Sequence, residues 1–286
     1  MTKNKLSLST RIPLNSGTTI PQFGFGAWNI GDNAESKKVI LTVLEAGYRH
    51  IDTAAAYLNE AGVGEGIRES GIPRSEIFVT TKLANIHQRD GRQQYGFERS
   101  LEKLKLDYVD LYLEHWPVPG RYKESWKLME GYYRKGLAGA IGVSNFRVSH
   151  LKDLMSEAEV LPAVNQIEFN PGMQDNETLD FCREKGIAVQ AWSPFGHGKI
   201  VDDPAFAAIG RKYGKTGPQA VLRWLLQKGI IVFPKSARRE RIIENADIFD
   251  FELSEEDCRR FDAMNTHTRT GTDPDNPAAY IYREID

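Results

Sequence analysis

The 286-residue sequence holds two cysteines, almost no excess of charge and no long apolar run, and each shortage removes a class of protein. Cys182 and Cys258 are too few for a disulfide framework, and neither has metal-ligand spacing around it, so a reducing compartment is expected. The opening MTKNKLSLSTRIPL is polar and lacks the apolar core of a signal peptide. Nothing approaches the ~18 apolar residues of a membrane span, and the expected location is the cytoplasm. With a net charge of -2, the chain carries no basic excess for nucleic acid or for an acidic membrane surface, which leaves a small molecule as partner.

Further absences narrow the chemistry. There is no Gly-x-Ser-x-Gly nucleophile elbow and no cluster of histidines and carboxylates at metal spacing, so no metal site is expected. The dinucleotide fingerprint Gly-x-Gly-x-x-Gly also fails: GFGAWN places Asn29 at its third glycine, and GVGEGI places Ile67 there, so a Rossmann domain is not supported.

What is present is a cadence. Eight runs rich in β-branched or aromatic residues occur at 23–26, 50–53, 77–83, 109–115, 140–144, 163–169, 187–193 and 230–235, with helix-length amphipathic stretches between them. Helices over 34–46, 176–185 and 218–228 each end at a glycine, Gly47, Gly186 and Gly229, where a C-cap belongs. Eight strands alternating with helices predict an α/β protein of the (β/α)8 TIM-barrel class, one domain over 1–286. RIPLNSGTTIP reads as a hairpin around Asn15-Ser16-Gly17 that plugs one barrel end. Beyond the last strand, Ser254 caps an extra helix and a Pro/Asp/Thr-rich tail begins near Thr266.

In a parallel barrel, polar residues that end successive strands converge on one mouth. Asp52 ends the second run, Lys82 the third and His115 the fourth, and Tyr57 follows five residues after Asp52. Ser144 and Asn145 end the fifth run, Gln166 lies within the sixth, Trp192 and Ser193 end the seventh, and Lys235 and Ser236 close the eighth. An unperturbed phenol has a pKa of ~10, and a neighbouring cation favours the phenolate, so Lys82 is expected to acidify Tyr57. Asp52 would be the counter-ion of Lys82, and a neutral His115 would orient a substrate oxygen. Such a site lacks a reductant, which a nicotinamide would supply. PKSARRERIIENA places Lys235 and Ser236 before a helix, with Arg241 and Asn245 one turn apart on it, a pattern suited to a phosphate.

Three ordered segments, GYRHIDTAAAYLNEAGVG, LEKLKLDYVDLYLEHWP and FPKSARRERIIENADI, resemble the signatures of the aldo-keto reductases, over about residues 20–265. The resemblance implies an NADP(H)-dependent reductase of aldehydes or ketones, a monomer, with Tyr57 as proton donor, Lys82 and Asp52 tuning it, and His115 positioning the carbonyl. It assigns Ser144, Asn145 and Gln166 to the nicotinamide carboxamide, Trp192 to stacking, and Ser193, Phe195 and Gly196 to the pyrophosphate. Lys235, Ser236 and Arg241 would hold the 2'-phosphate, with Glu244 and Asn245 at the adenine. Trp28 and Trp116, with the tail, would line the substrate mouth. Trp192 stands where many members have tyrosine, as in bacterial diketogluconate reductase-like members, while Phe233 and Glu114 depart from the usual aliphatic or apolar residue. Glu114 should point away from His115 and take no catalytic part. His197, in a short loop between Pro194 and Pro204, reads as surface. Two other classes stay open: a Schiff-base lyase using Lys82 as nucleophile, and a nicotinamide-binding subunit without turnover.

Overall fold

The computed structural model describes residues 6–199 and 201–285. Strands β1 (Arg11–Pro13) and β2 (Thr19–Pro21) pair antiparallel, with Ile12 opposite Ile20. Gly17, at φ 82°, turns the chain between them. Leu14 and Ile20 pack with Phe78, Leu111, Val164 and Ile231, residues at or near the N-terminal ends of barrel strands, so the hairpin closes the bottom of the barrel as expected.

Eight parallel strands follow: β3 (Phe25–Gly26), β4 (His50–Asp52), β5 (Phe78–Leu83), β6 (Leu111–Glu114), β7 (Ile141–Ser144), β8 (Val164–Glu168), β9 (Ala188–Trp192) and β10 (Ile231–Val232). Each pairs with the next, and a parallel bridge from Phe23 to Val232 joins last to first. The chain is thus a (β/α)8 barrel. Its strands are shorter than the apolar runs suggest: β3, β5 and β7 lose residues only at the bottom of the barrel, while β6, β8 and β9 lose them at both ends. Asn145 and Ser193, the residues just after β7 and β9, have φ of 65° and 50°, which ends strand geometry and lifts their side chains over the mouth.

The helices are α1 (Asn33–Glu45), α2 (Glu60–Glu69), α3 (Asn85–Arg89), α4 (Gln93–Leu104), α5 (Tyr122–Arg134), α6 (Val148–Met155), α7 (Asn176–Glu184), α8 (Pro204–Arg211), α9 (Gly217–Gln227), α10 (Arg239–Ala246) and α11 (Glu255–Asp262). Capping boxes at Asp32/Glu35 and Thr216/Gln219 start α1 and α9, and Gly229, at φ 74°, lets the chain leave α9. Ser254 caps α11 through the Asp257 N–H. Trp126, Trp224, Phe169 and Phe261 are buried between the strands and this outer ring. Truncation of such a side chain to alanine costs about 3–5 kcal/mol. Among the described residues no helix is long and apolar enough to cross a membrane.

The tail lies over the C-terminal rim. The N–H groups of Thr266 and Thr268 donate to Gly172 O, Tyr280 packs on Trp116, and Ile285 joins Ala55, Ala84 and Ile86. One segment thereby spans the mouth from the β8 side to the β4–β5 side.

A polar core has a cost that can be measured. His50 on β4 is fully buried, its Nε2 3.3 Å from Thr80 Oγ1, and burial holds its pKa down at about 3. An unfolded histidine binds a proton below ~6.5, so between these values the unfolded chain holds the extra proton and stability falls as pH falls. At pH 4.5 this amounts to about 3 kcal/mol. Urea denaturation at pH 7 and pH 4.5 should therefore show a smaller acid loss in His50→Gln than in the parent; equal losses would rule out His50 as the cause.

Candidate active site

The site begins with register. Asp52 is paired with Thr80, and Lys82, two residues further along β5, lies on the same side of its strand. Its side chain therefore crosses above Thr80 to reach Asp52. Lys82 Nζ donates to Asp52 Oδ1 at 2.5 Å, to Thr53 O at 2.8 Å and to Tyr57 Oη at 3.4 Å, so all three ammonium hydrogens have acceptors. Tyr57 is brought there by the single turn Ala55–Tyr57 after β4, which closes on Leu58 at φ 60°. A leucine in this region is uncommon and marks a turn held by its surroundings. The His115 ring lies 5.8 Å from that of Tyr57, nearly perpendicular to it. The acid, amine, phenol and imidazole expected at one place are therefore gathered there.

Electrostatics follow from depth. Lys82 is fully buried and Asp52 is 1% exposed. Desolvation opposes the Lys82 charge, yet Asp52 and Tyr57 prevail and raise its pKa. Burial raises Asp52, against the pull of Lys82 and of Gln166, whose Nε2 donates to Oδ2 at 2.8 Å. We assign this pair as ammonium and carboxylate, because every proton and both oxygens are bonded. His115 is held down at about 3, by burial first and by Lys82 second, and is neutral at pH 7.

The acidified phenol expected from the sequence is not found. Tyr57 is raised above the ordinary phenol value, because burial outweighs Lys82 and the Asp52 carboxylate adds to the rise. Lys82 gives its short bond to Asp52 and only the long one to Tyr57.

Around these four lies a ring of amides and hydroxyls. Ser144 Oγ donates to Gln166 O, while Asn145 Nδ2 donates to His115 O at 2.9 Å and to Ser144 Oγ at 3.1 Å. Trp192 Nε1 donates to Asn145 Oδ1 at 2.9 Å, a bond that depends on the indole N–H. The Asn145 donors are thus spent within the protein, whereas Gln166 Oε1 accepts from no described residue. Ser193, Phe195 and Gly196 follow β9 on the rim, with Gly196 at φ 53° against Thr270.

At the far side of the rim, Arg239 pairs with Glu45, but among the described residues Lys235, Arg238 and Arg241 form no ion pair. Partial burial lowers the Lys235 pKa with nothing to raise it. The backbone N–H groups opening α10 also lack a side-chain cap, and Ser236 Oγ lies just before them, accepting from Arg238 N. Unpaired cations beside uncapped N–H groups fit a phosphate, and an open amide oxygen at the mouth fits a carboxamide NH2, so these residues suit a nicotinamide dinucleotide. Asn245 is buried nearby, and Glu244 accepts from Thr216 Oγ1 at 3.0 Å.

Trp28 is 49% exposed and Trp116 is half-buried against Tyr280. The His197 ring, read from sequence as plain surface, lies edge-on to both Trp28 and Trp192, at 5.4 and 6.4 Å, and helps wall the mouth. Glu168 and Gln190 also escaped the sequence reading. Glu168 accepts from Thr270 N and Oγ1 at 2.7 and 2.5 Å, and Gln190 Oε1 accepts from Gln166 Nε2. Their signal was positional: each stands two residues from a rim residue on the same strand. Glu114 is buried, and among the described residues neither of its oxygens has a bonding partner. A separate cavity of about 570 Å³ opens beside the tail, where Asp175, Glu177 and Asp273 face Arg147 and Arg269, but none of the four central residues lines it. Among the described residues no three histidine, cysteine or carboxylate side chains gather to hold a metal.

Removing one partner of a buried ion pair strands the other charge at a cost of about 3–5 kcal/mol. Lys82→Met and Asp52→Asn should each lower stability on that scale, and the double variant should lose clearly less than the sum. Additive losses in urea denaturation would contradict the pairing.

Comparison with known proteins agrees with this geometry. The model of the aldo/keto reductase family matches residues 22–266. The chain is 46% identical to glyoxal reductase of Bacillus subtilis, over 94% of this chain and 98% of that one. It is 42% identical to methylglyoxal reductase DkgA of Escherichia coli, over 93% and 97%. The crystal structure of a Bombyx mori aldo-keto reductase in complex with NADP superposes with a TM-score of 0.88 at 37% identity, covering 97% of this chain and 99% of that one. By the family-model match and these relatives, the chain belongs to the aldo/keto reductase family.

Proposed function

We propose that this chain reduces an aldehyde or ketone to an alcohol with NADPH, and that Tyr57 is the proton donor. The observation that carries the reading is that one buried ammonium, Lys82, bonds both Asp52 and the Tyr57 hydroxyl at a half-buried mouth where His115 is neutral. NADPH, when bound, supplies the hydride that reduces the carbonyl carbon. Tyr57 stays protonated at neutral pH because burial raises its pKa, so the hydroxyl holds its proton until an oxygen of developing negative charge arrives. Lys82 faces the phenolate that would remain, and Asp52 keeps Lys82 in place. His115 contributes an N–H to orient the substrate oxygen.

Gln166, Ser144 and Asn145 would receive the carboxamide and Trp192 the nicotinamide ring, with Ser193, Phe195 and Gly196 along the pyrophosphate. Lys235, Ser236 and Arg241 would hold the 2'-phosphate, with Glu244 and Asn245 near the adenine. Trp28 and Trp116 would meet the substrate. The relatives named for glyoxal and methylglyoxal make short 2-oxoaldehydes the first substrates to assay. We place the protein in the cytoplasm as a monomer working as one domain over 1–286. A lyase would need Lys82 as a free amine, which Asp52 and Thr53 O oppose.

Tyr57→Phe should lower the rate of NADPH oxidation with methylglyoxal by about 10²–10⁴-fold while leaving NADPH affinity within about twofold of the parent. A variant that keeps full activity removes Tyr57 from the role. Replacing both Lys235 and Arg241 by alanine should weaken NADPH by at least about tenfold, the scale of one charge-assisted bond, and NADH much less. Equal weakening in fluorescence titrations would reject the 2'-phosphate site.

A further inference from the structure

Gln190 is fully buried on β9, level with Gln166 on β8 in the parallel register. Its Oε1 accepts from Gln166 Nε2 at 2.9 Å, and the same Nε2 donates to Asp52 Oδ2 at 2.8 Å. An unbroken chain, Gln190 to Gln166 to Asp52 to Lys82 to Tyr57, therefore crosses the barrel. The other end of the Gln190 amide is an anomaly: its Nε2 is buried with no partner among the described residues. A buried donor left unbonded is costly, and an apolar side chain of similar size would avoid the cost. The oxygen end of Gln190 must offset that penalty.

Its effect follows from the amide inventory. Gln166 has two N–H donors on one nitrogen; one goes to a carboxylate and the other to Gln190 Oε1. Asp52 alone would fix one of these bonds and leave the amide free to rotate about it. Two acceptors fix the plane. The reversed amide would set its oxygen against both the Asp52 carboxylate and Gln190 Oε1, so only one orientation is tolerated, and Gln166 Oε1 is then presented as an acceptor.

We infer that Gln190 is a positioning residue, which pins the Gln166 amide between itself and Asp52 so that Gln166 Oε1 is offered to the NH2 of a nicotinamide carboxamide. The inference rests on the placing of Gln166 at the nicotinamide proposed above.

The test compares Gln190→Met and Gln190→Leu, which have no oxygen, with Gln190→Glu, whose carboxyl group presents one in either protonation state. In protein without nucleotide, hydrogen exchange of the Gln166 side-chain NH2, followed by NMR, should be at least about tenfold faster in the apolar variants and close to the parent in Gln190→Glu. By tryptophan fluorescence, NADPH should bind about 5–10-fold more weakly to the apolar variants, with near-parental affinity for Gln190→Glu. Parental exchange and affinity in the apolar variants would overturn the inference. So would equal weakening in all three, or failure of both apolar variants to fold, since either makes Gln190 a packing residue. Gln166→Ala separates the two layers: parental NADPH affinity there removes Gln166 from the nicotinamide, while the exchange experiment still judges the pinning by itself.

Discussion

An ammonium and a carboxylate in contact at the centre of the barrel set the terms for everything around them. Desolvating either ion costs several kcal/mol, and their attraction offsets this only when the remaining protons and lone pairs are also bonded. The structure meets that condition with Thr53 O and Tyr57 on the ammonium and with Gln166 on the free carboxylate oxygen. Buried polar side chains elsewhere in the barrel, such as Thr80, Gln166 and Gln190, cluster about this pair. Only a parallel closed sheet brings such residues together from strands so distant in sequence, because every strand delivers its C-terminal end to the same face.

Depth and the same pair together explain why the phenol behaves as it does. Burial is the largest influence on Tyr57 and raises its pKa; a lone cation would oppose that rise, but this cation is shared with a carboxylate whose own charge adds to it. Tyr57 is therefore a reluctant acid at rest. That suits the proposed proton donor, which must not ionise before its acceptor appears: the driving force would come from the oxygen that gains charge during reduction, and Lys82 is already in place to face the phenolate that would remain. His115, neutral under the same influences, can donate without carrying a charge of its own.

How much of this was legible in the sequence follows from what each feature depends on. The eight strands, the hairpin plug, the cap at Ser254 and the four residues at the mouth could be read because strand ends and caps are local patterns. The direction of the Tyr57 shift could not, since it is a balance of burial and two opposed charges, and burial is a property of the folded barrel. His197 had no signal at all: only its ring contacts with Trp28 and Trp192 remove it from the ordinary surface. Gln190 and Glu168 were visible as polar residues inside predicted strands. Alternation placed them on the side of Gln166 and Trp192, but the reading took only Gln166 from the sixth run and only the last two residues of the seventh.

The tail shows how a polar segment can serve two walls of one site. Glu168, buried at the end of β8, binds the N–H groups of Thr270 and Gly271, and this draws Gly271 against the Trp192 indole. A methyl group at Gly271 would overlap that ring, so only glycine lets the backbone lie there undisturbed. Further along, Tyr280 packs on Trp116 with its rings 5.0 Å apart. The backbone between these two anchors ties the residue proposed to stack on the nicotinamide to one proposed to meet the substrate. Trp192 is in turn bonded to Asn145, and Asn145 to the His115 carbonyl. Displacing the tail would therefore disturb more than an outer wall: through Gly271 and Trp192 it reaches the backbone that holds His115, which makes the tail a structural part of the site.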